Sequence, residues 1–476
     1  MRSSPHIASI HILDDDSLLH VFYFCRPFLF GEDEDEDARI MGGWARWVNG
    51  RWWYRLVHVC QRWRNVIFRS SSYLALSLVC TNGTPVADML AHSPHLPLVI
   101  DYSYKYRDLT AEDGKGAILA LKQCDRVRGV RLFVPTTTLQ ALIMAMDEEY
   151  PILEYLIIQR TLEDSTIVEF SKTLQAPHIR HLTAIGFALP IESQLLIAAV
   201  RLVTLLIATS PSTYLHPNTL LRWLSSMLQL ETLVIAFFHF FHIPNPDKYK
   251  PLTHTPIITP ATLPNLHLFK FRGRLSFMEA LVHHITTPCL EKLKIITDDH
   301  FTFFVPHLVQ FMNTTETSRF DSAKFVFLDG HADLKLYSRG VDLDEVYALS
   351  LTVEISHPIW QVSSMAQISN ALGEAFSVVE HLALEQVDTP YPDVDPTEWR
   401  QFFRPFNTVK TLLIAEQLVE NVSRCLQLDD GEVPLELLPD LQEITYSGSG
   451  NQTGDEFTSF IDARQNAGRP ITLTRY

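Results

Sequence analysis

The feature that most limits the fold is a short apolar signature, L-x-x-L-x-L, which returns along the chain from about Asp125. It reads Val127-Arg-Gly-Val130-Arg-Leu132, Leu153-Glu-Tyr-Leu156-Ile-Ile158, Ile179-Arg-His-Leu182, Leu202-Val-Thr-Leu205-Leu-Ile207 and Leu230-Glu-Thr-Leu233-Val-Ile235. Later copies are Leu266-His-Leu-Phe269-Lys-Phe271, Leu290-Glu-Lys-Leu293-Lys-Ile295, Val379-Glu-His-Leu382-Ala-Leu384, Val409-Lys-Thr-Leu412-Leu-Ile414 and Leu441-Gln-Glu-Ile444-Thr-Tyr446. Weaker copies lie near Phe325 and Leu351, and Ile471-Thr-Leu473 closes the series. A period of two puts residues such as Leu156 and Ile158 on one face of a strand. Between copies, Thr138 to Met146, Ile191 to Val200, Asn218 to Leu228, Phe277 to Ile285 and Met365 to Phe376 carry apolar residues at helical spacing. Strands joined by such helices pair in parallel through right-handed crossovers. One strand–helix unit cannot bury its own apolar face, so the copies must stack.

The expected fold class is therefore α/β: an irregular solenoid over residues 125–476, with a parallel concave sheet and helices on the convex side. Its period resembles that of leucine-rich repeats, although the spacing is uneven. Leu182 to Leu205 is 23 residues and Leu233 to Phe269 is 36. A strand–helix–strand bridge is expected over 73–124, with strands at Tyr73 to Val79 and Leu98 to Tyr102 and a helix at Pro85 to His92. Ile243 to Pro264 and Ser447 to Asp455 read as loops, the first rich in proline and the second in glycine and serine. A last helix is expected from Glu456 to Asn466.

The N-terminal region has a different character. From Trp53 to Phe68, apolar residues at Leu56, Val59, Cys60, Trp63, Val66 and Ile67 mark one face of a helix. A shorter helix is expected from Asp16 to Phe24, with Asp14, Asp15 and Asp16 meeting the unpaired N–H groups at its start. Helices this few and this apolar need a partner surface. Between them, Glu32 to Asp37 is a run of six acidic residues, read as a mobile loop dispensable for folding. Trp44, Trp47, Trp52 and Trp53 follow and are expected to pack the loop's exit onto the helices.

The two helical pieces together resemble the F-box. Ile12 to Phe22 is similar to that family's Leu-Pro-x-Glu segment and first helix, with Asp14 where the family has proline. Leu56 to Ile67 is similar to its Val-Cys-x-x-Trp segment, with Val59, Cys60 and Trp63 in the matching places. An insert, Arg26 to Arg51, separates the halves. Tyr73 to Tyr102 and Phe460 to Leu473 further resemble the expanded F-box proteins of mushroom-forming fungi. The resemblance implies an all-α F-box domain over residues 10–72 that docks on a Skp-type adaptor of a cullin–RING ubiquitin ligase. The residues it implies for that contact are Leu13, Leu18, Leu19, Val21, Phe22, Val59, Cys60 and Trp63.

Composition excludes several other classes. A net charge of −16, from 55 acidic and 39 basic residues, disfavours a nucleic-acid partner. Hydrophobic residues are 46% of the chain, enough to bury a core. Six scattered cysteines with no C-x-x-C read as thiols in a reducing compartment, so an intracellular protein of cytoplasm or nucleus is expected. No signal peptide is expected from the N-terminus. The longest apolar stretch, Leu195 to Ala208, is broken by Arg201 and too short to span a bilayer, so no membrane partner is expected.

No phosphate loop, nucleophile elbow or H-E-x-x-H motif occurs, so neither an enzyme nor a cofactor is expected. The pairs His92/His95, His239/His242 and His283/His284 lack further ligands at useful spacing, and no metal is expected. Asp298-Asp299-His300 reads as a solvated loop cluster, and Trp223, Trp360 and Trp399 as core or ridge residues. Residues between the repeat anchors should face a target protein. They are Glu154, Tyr155, Arg180, His181, Glu231, Glu291, Lys292, Glu380, His381 and Lys410. Two readings follow: the substrate-receptor subunit of a Skp–cullin–F-box ligase, holding an unknown protein substrate, or a repeat scaffold outside any ligase. The replaced proline and the insert favour the second.

Overall fold

The structure is a computed structural model, and it describes residues 12–26, 51–103, 109–160, 168–209, 215–237, 260–297, 305–314, 320–338, 347–355, 358–387, 394–427, 437–447 and 457–475. The acidic run Glu32 to Asp37, Trp44, Trp47, the pair His239/His242 and the cluster Asp298 to His300 lie outside those residues, as does most of each expected loop. The chain forms two compact units, Met1–Tyr214 and Leu215–Tyr476.

The first unit opens with three helices, α1 (Asp15–Phe24), α2 (Tyr54–Val57) and α3 (Gln61–Arg69). The Asp14 carboxylate caps α1 by accepting from the Ser17 N–H at 2.7 Å. The single helix expected from Trp53 to Phe68 is two helices, broken at Cys60. There the backbone is extended, with φ −160° and ψ 168°, and the thiol accepts from the Trp63 N–H at 3.5 Å. Local capping thus outweighs the apolar period, because a capping side chain needs a non-helical backbone at its own residue.

Beyond these helices, six strands form a wholly parallel run: β1 (Leu78–Thr81), β2 (Leu98–Ser103), β3 (Val127–Val134), β4 (Tyr155–Arg160), β6 (His181–Ile185) and β8 (Thr204–Thr209). Two short strands, β5 (Val168–Glu169) and β7 (Phe187–Ala188), pair separately. The crossovers carry α4 (Val86–His92), α5 (Ala111–Leu121), α6 (Thr136–Ala145) and α7 (Gln194–Ile197). The repeat anchors Leu156, Ile158, Leu182, Leu205 and Ile207 are buried on the helix side. Tyr150 on one crossover donates to the Leu121 carbonyl of the previous one at 2.9 Å, which ties neighbouring units. Buried Arg126 donates to the Leu96 carbonyl at 3.0 Å and so fixes the loop before β2.

The second unit contains ten strands of one sheet: β9 (Thr232–Phe237), β11 (Leu268–Arg272), β13 (Lys292–Thr297), β14 (Phe320–Leu328), β15 (His331–Ser338), β16 (Leu349–Glu354), β17 (His381–Gln386), β18 (Thr411–Ile414), β19 (Glu443–Tyr446) and β20 (Thr472–Arg475). A separate parallel pair joins β10 (Ala261–Thr262) to β12 (Ile285–Thr286). Helices α8 (Pro217–Leu224), α9 (Leu275–Val282), α10 (Pro306–Thr314), α11 (Pro358–Ala371), α12 (Gly373–Phe376), α13 (Pro396–Phe403), α14 (Val419–Leu426) and α15 (Thr458–Asn466) lie between strands.

The strands from Leu153 to Ile295 pair in parallel within each unit, as expected, but the parallel array does not continue unbroken. β14 and β15 form an antiparallel hairpin, and the spatial order runs β13-β16-β15-β14-β17. The weak copies near Phe325 and Leu351 are β14 and β16. The reversal has a local cause: Asp329-Gly330 joins β14 to the alternating strand β15 by a two-residue turn, and Gly330 takes φ +84°. Trp223 and Trp399 are fully buried, whereas Trp360 is half-exposed.

Candidate functional site

Two surfaces follow from this arrangement. The first is the N-terminal helix cluster. Leu18 and Phe22 of α1 are buried, and the Phe22 ring meets Trp63 edge-on at 4.9 Å. Arg62 of α3 reaches back to α1, donating to the Leu13 carbonyl at 2.6 Å and pairing with Asp15 at 2.8 Å. A cavity of about 410 Å³ opens between the two helices, lined by Asp15, Asp16, Leu19, Arg62, Asn65 and Arg69 among others.

This geometry divides the residues expected to contact an adaptor. Leu18 and Phe22 are spent on internal packing, which corrects their expected place on a docking surface. Cys60 is a helix cap, and Leu13, Leu19 and Trp63 are half-buried. Val21 and Val59 are exposed. Sequence reasoning missed Ile12, Phe24 and Tyr73, which are also exposed. Phe24 ends α1, whereas Ile12 and Tyr73 lie outside the helices, where helical spacing gives no signal.

The second surface is the sheet face turned away from the helices. In the first unit one register row reads Val79, Val99, Gly129, Tyr155, His181, Thr204. The next reads Thr81, Asp101, Arg131, Ile157, Thr183, Leu206. Tyr155 stacks on His181 with ring centres 4.5 Å apart, and His181 Nδ1 lies 3.1 Å from the Thr204 hydroxyl. Arg131 clasps buried Asp101 through two bonds of 2.7 and 2.9 Å. Such a fork-on-carboxylate pair sets the orientation of both side chains.

Burial pulls His181 down to about 4, helped by the charge of Arg180. The folded protein therefore holds a neutral imidazole where the unfolded chain binds a proton below its ordinary value near 6.5. Stability is unaffected above that value and falls as pH drops from about 6.5 toward 4, because the unfolded state then binds more protons. We expect urea denaturation to show a loss of about 1 to 2 kcal/mol across that window that His181→Gln removes. An equal slope in the variant would assign the loss to other groups.

The ten residues expected to face a target fall into two sets. Tyr155, His181, Lys292 and His381 lie on this face at the starts of β4, β6, β13 and β17. Glu154, Arg180, Glu231, Glu291, Glu380 and Lys410 each stand one residue before a strand, at the sheet's rim. Several of these pair between neighbouring repeats: Glu154 with Arg128 at 3.0 Å, Glu291 with His267 at 3.3 Å and Lys410 with Glu380 at 2.8 Å. The rim therefore links repeats through Glu154, Glu291, Glu380 and Lys410, while Arg180, Glu231 and Glu291 are exposed there.

What sequence reasoning missed is the fifth place of the signature, between the second and third anchors. Arg131 and Ile157 occupy it in the first unit and Lys270 and Lys294 in the second, and in each unit it supplies a central row of the sheet face. Among the described residues no group of three or more His, Cys, Asp or Glu could hold a metal ion, and no helix is long and apolar enough to cross a membrane.

The repeated strand–helix unit with its shared signature defines the class of this chain as a repeat protein. No family model matches it, and no curated protein does. The solved structure of a TLR13–ssRNA13 complex is similar at a TM-score of 0.30 and 11% identity, over 83% of this chain and 48% of that one. The chain thus spans about half the length of the TLR13 chain, and so loose a likeness carries no argument about function.

Proposed function

We propose that the chain is a leucine-rich-repeat-type interaction scaffold and, more particularly, the substrate-receptor subunit of a Skp–cullin–F-box ligase. The observation that carries this reading is where unburied apolar surface collects. Of the fourteen exposed large apolar side chains among the described residues, six fall in the N-terminal segment: Ile12, Val21, Tyr23, Phe24, Val59 and Tyr73. The helices there have already buried Leu18, Phe22, Val66 and Ile67. What remains outside is surface that a partner would cover. The F-box resemblance names that partner as a Skp-type adaptor, and the sheet face away from the helices would hold a target protein. Catalysis then belongs to other subunits, and this chain contributes proximity by raising the local concentration of target. The specific alternative is the same scaffold outside a ligase, favoured by Asp14 in place of proline.

Co-purification with a Skp-type adaptor separates the two. Phe24→Ala and Val59→Ala should each weaken binding by about 2 kcal/mol, roughly thirtyfold, as buried interface anchors do. Neither should move the melting temperature by more than a degree or two, since both side chains are exposed. An adaptor that binds both variants as tightly as wild type would place the docking surface elsewhere. Wild type that binds no adaptor would leave the scaffold outside a ligase.

A further inference from the structure

The second unit carries a row of lysines that its topology, rather than its sequence order, brings together. Lys270 on β11 is in register with Lys294 on β13, which faces Ser350 on β16. Ser350 faces Lys335 on β15, and Lys335 faces Lys324 on β14. The two lysines last named come side by side only because the hairpin inverts the local strand order. All four lie on the face away from the helices, because their neighbours Phe269, Phe271 and Phe325 are buried on the other side. The row crosses five adjacent strands, about 19 Å at the usual strand spacing.

Charges of one sign directly opposite each other on a sheet are destabilising. The face answers this only in part. Lys324 is buried and paired with Glu385 at 2.8 Å, so it anchors the row's end rather than facing a partner, and Lys335 lies over the Tyr347 ring at 5.9 Å. Among the described residues Lys294 meets no carboxylate. In a chain of net charge −16 the row concentrates four cationic side chains, with Asp333, Glu354 and Glu385 in the flanking register rows of the same face.

We propose that this row is the seat of an acidic, extended segment of a protein partner. The inference deepens the target-binding half of the proposed function and rests on the sheet face being the surface that holds a target. An extended peptide of about six residues would cover the row. Lysines are compact point charges that suit scattered carboxylates, whereas bidentate phosphate recognition favours arginine. The one arginine in the neighbouring register row of β11, Arg272, already pairs with Glu354 at 2.6 Å. The row itself contains no aromatic side chain on which bases could stack. A peptide therefore fits better than a nucleic acid.

Fluorescence anisotropy on the full chain tests this. The probes are a labelled Asp/Glu-rich peptide, the same peptide with Asn and Gln in place of the acids, and a labelled single-stranded oligonucleotide. The acidic peptide should bind, and its affinity should fall with salt. Lys270→Ala/Lys294→Ala/Lys335→Ala should lose about tenfold or more in affinity, with unchanged circular dichroism. Lys115→Ala, far from the row in sequence, should lose nothing. The idea is overturned if the acidic peptide does not bind, if the amide peptide binds as well, if the triple variant binds as wild type does, or if the oligonucleotide binds more tightly. Adaptor co-purification is read separately through the N-terminal helices, so failure here and failure there are distinguishable.

Discussion

Alanine in place of Phe325 is expected to cost about 3 to 5 kcal/mol of stability, the range for deleting a buried aromatic ring. Phe325 lies on β14 and is fully buried. Its ring meets Phe402 edge-on at 4.7 Å, with Phe406 at 6.0 Å and Phe376 at 6.3 Å. Those partners come from α13, α12 and the loop after α13, so one side chain joins a strand to both crossovers that follow the hairpin. Removing it leaves a void bounded by rings that cannot all collapse inward. Urea denaturation checks the size of the loss. Amide exchange should rise most in β14 and β17, which are paired beside the void. A cost below about 1 kcal/mol would show that the cluster repacks easily.

The second large effect is expected at Arg464 on α15. Its side chain is fully buried and donates to the carbonyls of Leu438, Pro439 and Leu441 at 3.0 to 3.2 Å. Burial and the charge of Arg469 lower its pKa, but no ordinary pH removes its proton. The guanidinium in effect closes the loop that leads into β19. Arg464→Ala would leave three carbonyls without their donor, at a cost of about 3 kcal/mol or more. Arg464→Lys should recover only part of this, because one ammonium cannot reproduce the planar fork. Thermal unfolding of the three proteins should rank wild type, lysine, alanine. A lysine variant as stable as wild type would mean that charge rather than geometry matters here.

Much of the fold was legible because anchor spacing is a strong signal. Leu153, Leu156 and Ile158 predict β4 and its face, and the same pattern marks β6, β8, β9, β11 and β13. The break in the parallel array is not legible from anchor spacing, which shows only weak copies near Phe325 and Leu351, although Asp329-Gly330 before an alternating segment is a hairpin signal in its own right. Helical spacing overestimates helix length in two places. Ile191 to Val200 yields only Gln194–Ile197, and Trp53 to Phe68 is divided by the Cys60 cap. Among site residues, the signature marked which strands carry the face but not which of its places points outward. Glu380 and Lys410 look like surface charges in sequence, yet each satisfies the other across a repeat boundary at 2.8 Å. Leu18 and Phe22 look like docking anchors because α1 is short, and only the position of α3 shows that they are already used.

The inverted hairpin also changes how the second unit can fold. In an ordinary repeat array each strand pairs with its nearest neighbour in sequence, so order can spread from any point one unit at a time. Here β13 must wait for β16, whose first residue lies 52 positions beyond the last of β13. Until that long loop closes, the chain entropy spent is not returned by pairing. The β14–β15 hairpin has no such delay: its two-residue turn permits closure within about 1 to 10 μs. It can therefore form first and present β15 as the template on which β16 docks, after which β13 and β17 join from opposite sides. A segment that interrupts the repeat in sequence thus becomes a seed from which the repeats on both flanks can grow.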